Sequence, residues 1–158
     1  MADQHMVFMR EAIRLSHKGM DNNEGGPFGS IIVLKNEIVG RGNNKVSSTM
    51  DPTAHAEITA IRDACKRLNT FQLGQCEIYS SCEPCPMCLG AIYWAKIKAI
   101  YFACSRTDAA AIGFSDEFIY HEIPKQHHQC AIPITQLNKE EAMEVFREWL
   151  KKPDKIVY

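Results

Sequence analysis

Two short motifs in the chain combine side chains that could bind a metal ion and move protons. In the first, a histidine is followed two positions later by a glutamate, and the second is a P-C-x-x-C sequence further along the chain. Zinc in proteins prefers tetrahedral nitrogen and thiolate ligands, and a catalytic zinc keeps one coordination position for water. His55, Cys85 and Cys88 supply three such ligands, so they predict one zinc ion, and Glu57 is left to carry protons.

This combination of residue types suits hydrolysis. Zinc lowers the pKa of a bound water from ~15.7 toward ~7, which provides hydroxide at neutral pH. Glu57 could accept that proton while the hydroxide attacks an electrophilic carbon of the substrate. It could then return the proton to the leaving group. The alternative for Glu57 is a solvated carboxylate in the first turn of a helix, stabilised by the helix dipole.

Cys82 leaves a second zinc arrangement open, because it precedes Cys85 by the same spacing that separates Cys85 from Cys88. Four ligands would make a structural site that is closed to substrate. We favour three ligands, because Cys82 falls at the end of a predicted strand whereas the other two cysteines begin a predicted helix. The remaining cysteines are expected to act as small core hydrophobes: Cys65, Cys76, Cys104 and Cys130.

The elements around the motifs should bring these ligands together. Asp51-Pro52-Thr53 predicts a helix start, which places His55 and Glu57 in the first turn. A buried strand over 76–81 should lead into the cysteine motif, followed by a helix over 86–95 and a strand over 99–104. Both ligand groups then lie at helix N-termini, where the helix dipole favours thiolates.

The rest of the chain is predicted from hydrophobic periodicity. Apolar residues at helical spacing indicate an amphipathic helix over about 5–19, and two strands follow at 29–35 and 37–42. A segment over 130–135 should be extended but interrupted by a proline. Asn138 resembles the N-cap of a C-terminal helix.

Composition narrows the class of protein. A chain of 158 residues with 46% hydrophobic residues fits one domain. The net charge of -1, without a Lys/Arg-rich block, argues against nucleic acid as partner. Seven cysteines are an odd number and no signal peptide opens the sequence, which favours the reducing cytoplasm. No apolar run approaches the ~20 residues of a membrane helix.

The H-x-E and P-C-x-x-C motifs together are the signature of zinc deaminases that act on nucleobases, and the chain resembles the cytidine-deaminase superfamily. Within it, the chain is similar to the bacterial guanine deaminases. The segments that carry this similarity are Gly26–Gly29, Asn43-Asn44, Asp51–Thr53, Cys88–Ala95, Gly113-Phe114 with Asp116, Phe118–Tyr120 and the C-terminal tyrosine. The resemblance implies zinc-dependent hydrolysis of a purine base, guanine, to xanthine and ammonia in purine catabolism or salvage, with one zinc per subunit.

The resemblance also implies a fold and an assembly. The expected fold is α/β, a three-layer αβα cytidine-deaminase-like domain over 1–158 with a central mixed sheet of five strands. The expected assembly is a homodimer that exchanges its C-terminal segments, about 139–158, so that Tyr158 helps to close the partner's site.

Further site residues follow from the same resemblance. Phe28 and Trp94 would line the base pocket, Asn44 would hydrogen-bond the purine, and Asp116 would meet the amino group as a second proton carrier. Each has a structural alternative: core packing for the two aromatic residues, a turn for Asn44 and a helix cap for Asp116.

Three other functions stay open at this point. A tRNA-specific adenosine deaminase, which converts adenosine to inosine at the wobble position, shares the zinc motifs, and a basic groove would support it. Another nucleobase or nucleoside deaminase is equally compatible with the motifs, since one hydrogen bond can decide such discrimination. A structural zinc module without catalysis is the rival from a different class.

Overall fold

The computed structural model describes residues 2–158 and shows helices alternating with strands, divided into two units. The first unit ends at Asp116 and the second runs from Glu117 to Tyr158. The elements of the first unit are α1 (Ala2–Asp21), β1 (Gly29–Leu34), β2 (Glu37–Asn43), α2 (Val46–Thr49), α3 (Ala56–Leu68), β3 (Glu77–Cys82), α4 (Pro86–Trp94), β4 (Ala99–Cys104) and α5 (Arg106–Ala111).

The four strands form one mixed sheet in the order β2-β1-β3-β4. Strand β1 is antiparallel to both β2 and β3, whereas β3 and β4 are parallel and are joined through α4, in the predicted order of strand, helix and strand. The expected α/β fold is confirmed, but the expected fifth strand is wrong, since residues 2–158 contain four. The segment over 130–135 forms no strand, and its proline cannot donate a ladder hydrogen bond.

Side chains alternate along the strands, so apolar residues pack against helices on both faces of the sheet. Ile31 and Val33 of β1 face α1, and Ile32 between them faces α3 and α4. The first face is packed by Phe8, Ala12, Leu15 and Tyr79. The second is packed by Ala60, Ala64, Leu73, Ile78, Ile92 and Ala95. Helices therefore lie on both sides of the sheet in three layers.

The main correction to the predicted elements concerns the start of α3. Asp51 does not begin this helix: its Oδ1 accepts hydrogen bonds from the backbone N–H and the hydroxyl of Thr53, at 2.8 and 2.7 Å, and so closes a local turn. The helix begins at Ala56, with His55 as its N-cap. Aspartate and proline are common both in turns and at helix starts, and in this chain Asp51-Pro52-Thr53 form a turn.

The second unit contains α6 (Glu117–Glu122), a 3-10 turn (His127–Gln129) and α7 (Lys139–Lys151), with Asn138 as the predicted N-cap of α7. The structure describes all of residues 117–158, and none of their side chains is buried. The apolar residues of α7 are exposed, among them Val145, Phe146 and Leu150. No helix within residues 2–158 is both long and apolar enough to cross a membrane.

We predict that Gly42→Ala destabilises the first unit. A Cβ at this position of β2 would collide with the carbonyl oxygen of Ala56 and the backbone N of Ala60, both in α3. Since backbone atoms cannot move aside as a flexible side chain can, unfolding free energy should fall by about 1–3 kcal/mol. Denaturant unfolding would measure this loss.

The matched control is Gly74→Ala, whose Cβ would lie 3.7 Å from its nearest neighbour, the Lys96 carbonyl oxygen. This variant should stay within about 0.5 kcal/mol of wild type. Equal stability of the Gly42 and Gly74 variants would contradict a close approach between β2 and α3.

Candidate active site

Three predicted ligands meet where α3 and α4 begin. His55 is the N-cap of α3, Cys85 is the N-cap of α4 and Cys88 lies in the first turn of α4. The Nδ1 atom of His55 is 3.6 Å from the Sγ of Cys85 and 3.5 Å from the Sγ of Cys88. All three ligand atoms lie within 4.8 Å of one another.

These distances fit a tetrahedral zinc ion. Bonds of about 2.3 Å to sulfur and about 2.0 Å to nitrogen, at tetrahedral angles, place nitrogen and sulfur about 3.5 Å apart. The separations between His55 and the two cysteines match that spacing. Two thiolates and one imidazole are also the ligand types that zinc prefers, so the site holds one zinc ion per chain.

Cys82 is not part of this group. Its thiol donates a hydrogen bond to the carbonyl oxygen of Ser105, at 3.6 Å, and burial raises its pKa to about 11. The alternative of a structural zinc site with Cys82 as the fourth ligand is therefore not formed. Three protein ligands leave a coordination position for water.

The electrostatics favour a thiolate at Cys85. The hydrogen bond from Cys88, followed by that from His55, lowers the pKa of the Cys85 thiol to about 4. The same contact with Cys85, together with burial, raises the pKa of the Cys88 thiol. The pair thus shares one proton, which a dication must displace in order to bind both sulfurs.

Glu57 is buried beside the ligands. Its side chain, in a residue only 6% exposed, accepts a hydrogen bond at Oε1 from the hydroxyl of Ser80, at 2.8 Å. Its Oε2 lies 3.4 Å from the Sγ of Cys88. Burial raises the pKa of this carboxyl group above its usual range. A solvated first-turn carboxylate, the alternative in the sequence, is therefore wrong.

Ser80 was not found from the sequence. It is one of three polar residues in β3, with Glu77 and Ser81, and a buried polar side chain indicates only that some partner exists for it. The partner, Glu57, lies in another element 23 positions earlier, and no local pattern relates the two.

Asn44 is buried, and its position matches the turn alternative. The Oδ1 atom accepts hydrogen bonds from the backbone N–H groups of Gly26, at 3.3 Å, and Val46, at 3.1 Å. Because both partners are donors, the side-chain oxygen must point toward them, and the NH₂ group points elsewhere.

The aromatic residues differ in their burial. Phe28 is half-buried, and its ring meets that of Phe114 edge to face, with centroids 5.0 Å apart. Trp94 is 69% exposed, so core packing within its own unit is wrong for it. Tyr158 is exposed in the second unit.

Asp116 is half-buried at the end of the first unit. Burial raises the pKa of its carboxyl group, and repulsion from the Cys85 thiolate raises it further. Asp116 therefore lies close enough to the zinc ligands for their charge to act on it.

An αβα sheet with a His/Cys/Cys zinc site at two helix N-termini and a buried glutamate beside it defines a zinc-dependent hydrolytic deaminase. The zinc-binding region of cytidine and deoxycytidylate deaminases matches residues 2–104. The chain belongs to this family.

Known proteins resemble the chain over almost all its length. It is 48% identical to guanine deaminase of Bacillus subtilis over 154 residues, which cover 98% of this chain and 99% of that protein. The crystal structure of a guanine deaminase from B. subtilis has a TM-score of 0.95, at 48% identity and 98% coverage of both chains. A tRNA-specific adenosine deaminase of Aquifex aeolicus is 37% identical, covering 92% of this chain and 93% of its own.

We predict that Cys88→Ser loses zinc whereas Cys82→Ser keeps it. Serine replaces a soft thiolate with a hydroxyl that zinc rarely binds, and only Cys88 is one of the three ligands. Zinc per chain, measured by mass spectrometry after dialysis, should fall from about one to well below one for Cys88→Ser alone. Loss of zinc from both variants would reinstate Cys82 as a ligand.

Proposed function

We propose that this protein hydrolyses guanine to xanthine and ammonia. The observation that carries the proposal is similarity to a guanine deaminase along the whole chain, including residues beyond the zinc-binding region. Those residues hold Asp116, Tyr158 and the second unit, which the shared zinc chemistry does not require. The tRNA-specific adenosine deaminase of A. aeolicus also matches 92% of this chain, so the higher identity to the guanine deaminase, 48% against 37%, carries the most weight.

Glu57 is the proton carrier of this reaction. When bound, zinc acts as a Lewis acid that lets a water molecule serve as nucleophile at neutral pH. Glu57 takes one proton from the attacking water as the water oxygen adds to the carbon bearing the amine, and gives this proton to the adjacent ring nitrogen. The remaining hydroxyl proton then passes to the amine, the C–N bond breaks, ammonia leaves, and the hydroxyl becomes a carbonyl of xanthine. Burial supports this role, because it raises the pKa of the Glu57 carboxyl group and so strengthens it as a proton acceptor.

Asn44 supplies a donor to the purine. Its Oδ1 is taken by two backbone N–H groups, so its NH₂ group is the part left for a ligand. A purine presents ring nitrogens and, in guanine, a carbonyl oxygen as acceptors. The loop contacts of Asn44 therefore support a binding role, since they fix the direction of the free donor.

Phe28 and Trp94 form apolar walls for the base. The edge-to-face contact with Phe114 holds the Phe28 ring in place, and the exposed indole of Trp94 offers a flat surface. Asp116 meets the amino group as the second proton carrier. Its raised pKa and the influence of Cys85 on it support that position.

The active form is a homodimer in which the segment over about 139–158 is exchanged, so that Tyr158 closes the partner's site and 1–158 form one functional domain. The absence of any buried side chain over 117–158 supports this assembly, because so short a unit cannot be stable without covering its apolar surface. Exposed Phe118, Phe146 and Tyr158 are candidates for that interface.

The cytoplasm is the proposed location. The seven cysteines all lie within the described residues, and no two of them form a disulfide. Free thiols are kept reduced in the cytoplasm, whereas secreted proteins commonly pair them.

We predict that Glu57→Gln abolishes ammonia release from guanine and keeps zinc. The amide cannot carry the proton, so turnover should fall by a factor of about 10²–10⁴, while zinc per chain stays near one. Ammonia release by zinc-loaded protein would be measured with guanine, guanosine, adenine, cytosine, cytidine and an adenosine-containing anticodon hairpin.

Release from guanine alone supports the proposal. Activity only on the hairpin would assign the protein to tRNA editing instead, and no release from any substrate by wild type would favour a structural zinc module. Unchanged turnover by Glu57→Gln would contradict the role of Glu57.

We further predict that two inactive variants restore each other. Deleting 156–158 should lower turnover more than stability, because it removes Tyr158 from the partner's site. A mixed dimer contains one Glu57→Gln protomer and one protomer that lacks 156–158. The site of the deletion protomer then has its own intact Glu57 and receives the intact tail of its partner, whereas the other site has neither. Co-expression with two affinity tags would isolate that dimer, and its turnover should approach half that of wild type. No recovery, or a fully active deletion variant, would overturn the exchanged tail.

A further inference from the structure

Ser80 stands out among the polar side chains of the sheet. It lies in β3, is 1% exposed, and its hydroxyl donates to Glu57 Oε1 at 2.8 Å. The bond links the sheet to the first turn of α3. No motif in the sequence singles out this residue.

Two nearby serines do different work. Ser30, directly opposite Ser80 in the β1–β3 register and equally buried, donates to the carbonyl oxygen of Tyr79 at 3.0 Å. Ser81 accepts from the backbone N–H of Gly29 at 2.9 Å. Both satisfy backbone groups, whereas Ser80 donates to a carboxylate. Ser30 therefore matches Ser80 in type, burial and strand position, but not in partner.

The two oxygens of Glu57 are held differently. Oε1 has the Ser80 hydroxyl, and Oε2 has the Cys88 sulfur at 3.4 Å. Cys88 is one of the three zinc ligands, whereas Ser80 holds the carboxyl group of Glu57 from outside the metal site.

We propose that Ser80 is a positioning residue that fixes the Glu57 carboxyl group through Oε1 and so keeps Oε2 beside the zinc ligand Cys88. Ser80 is 1% exposed and Glu57 is 6% exposed, so water cannot readily replace this hydrogen bond in the folded protein. This inference rests on the proposed role of Glu57 as proton carrier.

The experiment compares Ser80→Ala with Ser30→Ala and Ser80→Thr. Hydrogen bonds to charged groups contribute enough that Ser80→Ala should lower kcat by about 10- to 100-fold. KM should stay within about twofold, since Ser80 touches Glu57 and not the base. Ser30→Ala should keep kcat within about threefold of wild type. Zinc should stay near one per chain in all variants, and Ser80→Thr, which keeps the hydroxyl, should recover most of kcat.

A double-mutant cycle separates positioning from a general loss of structure. In a Glu57→Gln background, Ser80→Ala should cause no further fall in kcat, because it acts through that carboxylate. Melting temperature gives a readout independent of turnover. Ser80→Ala should lower the melting temperature more in the wild-type background than in the Glu57→Gln background, where the acceptor is a neutral amide, since bonds to charged acceptors are stronger.

Three results would overturn the inference: wild-type kcat in Ser80→Ala, an equal loss of kcat in Ser30→Ala, or the same fold loss in both backgrounds of the cycle. If wild type released no ammonia from guanine, the proposed function would fail by itself. The melting-temperature cycle would still report whether Ser80 and Glu57 are coupled.

Discussion

The site depends on how closely α3 approaches the sheet. Gly42 of β2 lies against the backbone at Ala56 and Ala60, and Gly40 lies against Ala60 and Ala64. A side chain on either glycine would push the helix outward. Because His55 precedes this helix and the two cysteine ligands belong to α4, the position of α3 sets the distance between the histidine and the sulfurs. The distances between His55 and the two sulfurs match a tetrahedral zinc site. These distances thus depend on Gly40 and Gly42, which do not bind the metal.

The same close packing determines the chemistry of Glu57. A carboxylate at the second position of a helix would ordinarily be solvated and ionised, helped by the helix dipole. Here the sheet covers it, and burial outweighs the hydrogen bonds that would lower its pKa. The hydrogen bond from Ser80 offsets part of the free-energy cost of burying the Glu57 carboxylate. The side chain therefore remains buried although its pKa is raised. One packing arrangement therefore provides both the spacing of the metal ligands and a buried carboxyl group beside them.

The sequence predicted the parts of this site that local spacing defines. His55, Cys85, Cys88 and Glu57 lie within short motifs, so their residue types and intervals were enough to predict them. The predicted helix α4 and the strands before and after it are confirmed. The role of Ser80 could not be predicted, because a hydrogen bond between residues in separate elements leaves no trace in either local pattern. The start of α3 was misplaced because turns and helix caps use the same residues.

Beyond the zinc site, the number of strands and the second unit were harder to predict, for a different physical reason. Strands are recognised by alternation, and the chain after Cys104 has short apolar runs that no longer alternate toward one face. In the structure these runs bury no side chain over 117–158. Such surface gains free energy only when another surface covers it, and that surface is not encoded by local periodicity. Under the proposed exchange, the same residues form the dimer interface and close the base pocket. Substrate choice and dimer formation are then coupled through the segment whose structure hydrophobic periodicity predicts least well.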